Sequence, residues 1–124
     1  MLQALLRSTL AHVLTGIVAM SAWAIFANRG YALSASLIAG LTQGALSGLL
    51  TLFLKRSVDV LRTVFSGSVR YWAPPLLAFL GSSALSILGH TLANTPEIIR
   101  TISVPFAVTG IYIFTYNFTL NLER

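Results

Sequence analysis

Long apolar stretches alternate with short polar punctuation along the whole chain. Four stretches carry no formal charge: Ser8–Asn28, Gly30–Leu54, Tyr71–Pro96 and Thr101–Leu122, with lengths of 21, 25, 26 and 22 residues. A helix rising 1.5 Å per residue needs about 20 residues to cross a hydrocarbon core of about 30 Å. Each stretch is therefore long enough for one crossing, and transmembrane helices are predicted at about 9–27, 32–54, 74–93 and 98–118. The fold class that follows is an all-α integral membrane protein, a compact antiparallel bundle of four helices in one domain, 1–124, with both termini on one side.

The punctuation supports these boundaries. Asn28-Arg29-Gly30 makes a short turn, and Pro74-Pro75 suits a helix start. Thr95-Pro96-Glu97 reads as an N-cap, a first-turn proline and an acid at the positive end of the dipole. Pro105 falls inside the fourth helix and frees a carbonyl that a neighbour must satisfy. Arg7, an apolar run and Ala22-Trp23-Ala24 have the form of a cleavable signal. Such matches are common in alanine-rich helices, so a retained first helix is expected.

Faces can be read within the helices. In the second, Ala32, Ser36, Gly40, Gly44 and Gly48 recur every four residues, with Gln43 and Ser47 on the same half and Ile38, Leu46, Leu49, Leu52 and Phe53 opposite. Small residues let backbones approach closely in lipid, and Gln43 can bond across the contact. The first helix has a fainter stripe of His12, Gly16, Ala19, Trp23 and Ala27, opposed by Val13, Leu14, Ile17, Val18 and Ile25. The third stacks Ala78, Ser82, Ser86 and Gly89 beside His90, and the fourth aligns Ser103, Ala107, Gly110, Phe114 and Asn117. Four such stripes predict close packing with little room for a path through one copy.

Composition narrows the class. Of 124 residues, 56% are hydrophobic and 9% charged, against about 25% charged in soluble domains. There is no cysteine, hence no disulfide framework or thiol nucleophile. The net charge of +5 has a topological explanation that removes a nucleic-acid partner. Arg7, Lys55, Arg56, Arg62, Arg70 and Arg124 fall on the side of the termini, and only Arg29 and Arg100 on the other. By the positive-inside rule the termini and the basic, amphipathic 55–70 loop are cytoplasmic, and a bacterial cytoplasmic (inner) membrane is the expected setting. That loop either prolongs the second helix or lies along the interface.

Candidate chemistry is sparse. The helix centres hold serine, threonine and Gln43 but no carboxylate. One constellation collects at the outer face: Asn28, Arg29 and Tyr31 on the first turn, with His90, Asn94, Glu97 and Arg100 at the second. Two arginines and a histidine suit a phosphate or lipid head group. The alternative is internal: Glu97 paired with Arg100, Arg29 snorkelling, and His90 bonded to nearby backbone. His12 reads as a structural imidazole. Neither a cofactor nor a metal site is expected, and an enzyme lacks its acid, base and nucleophile set.

Three functions remain. The first is a non-enzymatic membrane module that assembles with itself or another membrane protein through Ser36, Gly40, Gln43, Gly44, Gly48, Ser82, Ser86 and Gly110. The second is a small oligomeric transporter or lipid-carrier flippase with a phosphate-bearing substrate at the outer set. The third is a holin- or toxin-like permeabiliser.

Overall fold

In a computed structural model, which describes residues 2–122 and the side chains from Leu10 onward except that of His12, the chain is all-helical. The helices are α1 (Leu2–Ala27), α2 (Leu33–Val64), α3 (Ala73–Leu92) and α4 (Ile98–Leu122), with a 3₁₀ turn at Gly67–Tyr71. The predicted role of His12 lies outside the described side chains. Three helices, α2, α3 and α4, are long and apolar enough to cross a membrane, and the apolar part of α1, Val13–Ala27, is shorter.

The distribution of polarity is that of a membrane bundle. Asn28, His90, Thr101 and Asn117 are completely buried, while Leu41 and Ile99 are 75% and 83% exposed. A soluble bundle would reverse this, because lipid offers no water to satisfy polar groups and no penalty for exposed aliphatics.

α2 is the longest element. Its 32 residues span about 48 Å, so its last turns project beyond a hydrocarbon core of about 30 Å. Much of the predicted 55–70 loop is therefore helix. The rest folds back: Arg70 Nε donates to the carbonyls of Arg62 and Phe65, and Asn117 Nδ2 on α4 donates to those of Arg70 and Tyr71. Arg62 Nη2 closes the end of α4 through the Leu120 carbonyl at 3.0 Å. We call this the basic end, and that of the Asn28 and Asn94 turns the turn end. The apolar core, Leu54, Val58, Ala78 and Ile113, lies between α2, α3 and α4 toward the basic end.

α1 and α2 form an antiparallel hairpin whose contact surface is the predicted glycine stripe. A Cβ on Gly40 would lie 2.6 Å from Ile25 Cγ1, one on Gly44 would collide with the Ser21 hydroxyl, and one on Gly48 would stand 3.3 Å from Ile17 Cδ1. Ser36 Oγ donates to the Ile25 carbonyl at 2.9 Å. The α1 partners are thus Ile17, Ser21 and Ile25, spaced by four. The sequence pattern instead predicts Ile17 and Ile25 on the side opposite the packing stripe. Isoleucine is the better fit because a groove floored by glycine needs a side chain to fill it.

The α4 stripe is displaced too. Thr101, Ile102, Pro105, Ile113, Asn117 and Asn121 are buried, whereas Ser103, Ala107 and Phe114 are exposed. At Gly110 an added Cβ would meet Phe79 at an ordinary 3.6 Å, so close packing there does not require glycine.

Pro105 has the consequence expected of a helix-interior proline. It leaves the Thr101 carbonyl without its i+4 donor, and Trp23 Nε1 on α1 approaches that oxygen at 3.1 Å and the Arg100 oxygen at 3.2 Å. Trp23→Phe should therefore cost about 1 kcal/mol. In a Pro105→Ala background, where a backbone N–H can return to Thr101, the same change should cost markedly less. A double-mutant cycle on unfolding in mixed micelles reads the difference, and equal costs in both backgrounds would contradict this pairing.

Candidate functional site

At the turn end, α3 stops in a hydrogen-bonded reverse turn. Asn94 takes φ +57°, the left-handed conformation that asparagine tolerates after a helix, with Thr95 N–H bonded to the His90 carbonyl and Asn94 N–H to that of Thr91. This turn carries the Thr95 hydroxyl back to His90 Nδ1 at 2.8 Å. On its other side His90 Nε2 meets Gln43 Oε1 at 2.8 Å, and Gln43 Nε2 donates to Ser47 Oγ at 3.1 Å. Because Gln43 Oε1 can only accept, the imidazole carries its hydrogen on Nε2, and Nδ1 accepts from Thr95. His90 is a buried crosslink between α2 and the α3–α4 turn, not a surface ligand.

Asn28 plays the corresponding part for α1 and α4. Its Nδ2 donates to the Ala24 carbonyl and to Thr101 Oγ1, both at 2.8 Å, and its Oδ1 accepts from Glu97 N–H at 3.0 Å. That last bond caps α4. The predicted cap, Thr95, is engaged by His90, and the helix begins later, at Ile98. Thr101 Oγ1 also donates to the Glu97 carbonyl at 2.5 Å.

The remaining outer residues fall into this closure. Arg29 folds back on its own helix, with Nη1 on the Phe26 carbonyl at 2.9 Å and the guanidinium 3.9 Å from the Phe26 ring centroid. Glu97 Oε1 accepts from the Tyr31 hydroxyl at 2.7 Å. That hydrogen bond, followed by repulsion from the carboxylate, holds the Tyr31 phenol above its usual pKa of 10.0. The phenol therefore stays a donor through neutral pH. Whatever this bond contributes is fully present below pH 10 and is lost as the pH rises through the raised value. Arg100 is exposed, and its carbonyl receives Trp23. Of the predicted set, then, Arg29, His90, Asn94 and Glu97 have internal partners or backbone roles, and they do not converge on a shared cavity.

A different feature occupies the middle of the bundle. α1 and α4 are joined at the turn end by Trp23 and Asn28, and below that level a crevice of about 620 Å³ opens among the four helices. This departs from the expected compact packing, and the reason is side-chain size. Gly16, Ser47, Ser82, Ser86 and Thr109 face the space, and none is bulky enough to fill it. Part of the lining is polar: Gln43, Ser47, Thr51, Ser82, Ser86 and Thr109. The rest is apolar and includes Ile17, Met20 and Phe106.

Thr51 and Ser82 return their hydroxyls to helix carbonyls. Among the described residues, Ser86 and Thr109 have no such partner, although Ser86 is only 4% exposed. Gln43 lines the crevice toward the turn end and Lys55 toward the basic end, twelve residues and about 18 Å apart along α2. Thus Gln43, Ser82 and Ser86, predicted as packing residues, are brought together as a lining. Gly40, Gly44 and Gly48 instead carry the hairpin. The signal for the crevice was present as hydroxyl residues repeating on three helices, but the same pattern also describes tight packing. Comparison of the chain with protein-family models, curated proteins and solved structures finds no match.

Proposed function

We propose that the protein is a four-span component of a cytoplasmic membrane, with the basic end on the cytoplasmic side, and that it binds one hydrophobic or amphiphilic molecule in its interhelical crevice, as a small carrier would. The crevice carries the reading. Its volume lies within the range of about 300–1,000 Å³ usual for small-molecule sites, and it combines apolar walls with a few unpartnered hydroxyls. The orientation is supported by Lys55, Arg56, Arg62 and Arg70 at one end against Arg29 and Arg100 at the other.

Self-assembly through the Ser36–Gly48 face gains less support, because α1 already fills that groove. A second copy would need another surface.

Native mass spectrometry of protein released from mild detergent tests the proposal. Wild type should retain one adduct of lipid-like mass. Ser86→Trp should lose it by filling the crevice, and Ile111→Trp on the lipid-facing surface should keep it. Retention of the adduct by Ser86→Trp, or a wild-type protein that carries none, would contradict the reading.

A further inference from the structure

We propose that the crevice takes an anionic amphiphile of the adjoining leaflet, with its head group at Lys55 and Tyr112 and its chain running between α1 and α4 toward Gln43. This rests on the crevice being a ligand site and adds the chemical class of the ligand. Lys55 is the one formally charged residue among the lining residues described. Its ammonium lies 5.6 Å from the centroid of the Tyr116 ring, whose hydroxyl is committed to Asp59 Oδ1 at 2.9 Å. Tyr112 stacks on Tyr116 at 6.1 Å and keeps its own hydroxyl without a partner among the described residues. A lysine ammonium and a phenol O–H, both set against Tyr116, therefore line the same end of the crevice.

Both are donors, and together they match a phosphate or carboxylate. A cation beside low-dielectric walls is poorly solvated, so an anion there interacts more strongly than it would in water. Among the described residues Asp59 is the opposing charge at this end, and Arg56, Arg62 and Arg70 outnumber it. The depth order is also that of a lipid. Thr109 lies one helical turn deeper than Tyr112, with a free hydroxyl at the level of a linker ester. Phe106 and Met20 line the space for a chain.

The test uses the full chain in phosphatidylcholine nanodiscs doped with a trace of acyl-photoactivatable lipid, either phosphatidylglycerol or phosphatidylcholine. Adducts on Met20 and Phe106 are normalised to those on the lipid-facing Ile111. The anionic probe should label the crevice residues about five-fold more than the zwitterionic one, the scale of one basic side chain acting on an anionic lipid. Lys55→Gln should remove that preference and Lys55→Arg should keep it. Equal labelling by both probes in wild type would overturn the head-group assignment while leaving the crevice reading intact. Labelling of Ile111 alone would overturn the crevice reading itself. Added inorganic phosphate should leave the preference unchanged, and its abolition would mean that the site takes the free anion instead.

Discussion

Gly40→Leu should pry α1 from α2 and cost about 3 kcal/mol or more, the upper range for overpacking a tight contact. Even the first carbon of the new side chain has no room. It would stand 2.6 Å from Ile25 Cγ1 and 3.3 Å from the Ser21 carbonyl oxygen, and the second of these is backbone. Unlike a side chain, the Ser21 carbonyl cannot rotate away, so the helices must separate. Gly40→Ala should show the same effect in smaller degree. Gly16→Ala is the matched control. Nothing lies within 4 Å of its added carbon, so the gain in helix propensity of about 0.5–1 kcal/mol should appear undiminished. Unfolding in mixed micelles should place Gly16→Ala at or above wild type and Gly40→Leu far below it. Equal behaviour of the two would mean that the stripe does not hold the hairpin.

Asn28→Ala should be nearly as damaging, at about 2–4 kcal/mol. The substitution removes two donated bonds and one accepted bond and leaves the Glu97 N–H without its cap. It also frees the turn end, where α1 and α4 are tied. Asn28→Asp keeps the oxygen that caps Glu97 and loses the donors to Ala24 and Thr101, so it should fall between wild type and alanine. Hydrogen exchange then localises the loss. The first turn of α4 should lose protection in Asn28→Ala while the α2–α3 contact near Leu46 and Gly89 keeps it. Uniform loss across all four helices would point to general destabilisation rather than a missing cap.

The two variants also mark what was legible in the sequence. The spacing of eleven charges located four helices, and a four-residue glycine period marked a close-packing face without naming its partner, which is α1. Pro74-Pro75 opens α3 as expected. Pairings between distant residues were not legible. The sequence places Asn28 and Glu97 on neighbouring turns at one surface, yet nothing local assigns the Asn28–Glu97 bond or the Gln43–His90 bond. The burial faces of α1 and α4 were misread for a related reason. A lipid-bathed helix is apolar on every side, so the periodicity that orients a soluble helix is faint, and Ile17 and Ile25 could as well face lipid as a glycine groove. The outer arginines and histidine resembled a ligand site because residues that close a turn and residues that bind an anion are the same types.

The crevice exists because α1 and α4 are tied at the turn end and stand apart below it. A crystal structure of the full chain grown from a lipid mesophase tests this directly. The predicted result is elongated density between the two helices, beginning beside Lys55 and Tyr112 and ending short of Gln43, with the Asn28–Thr101 bond intact. A bundle in which Phe106 and Tyr112 pack against Val13 and Ile17, leaving no volume between them, would contradict it.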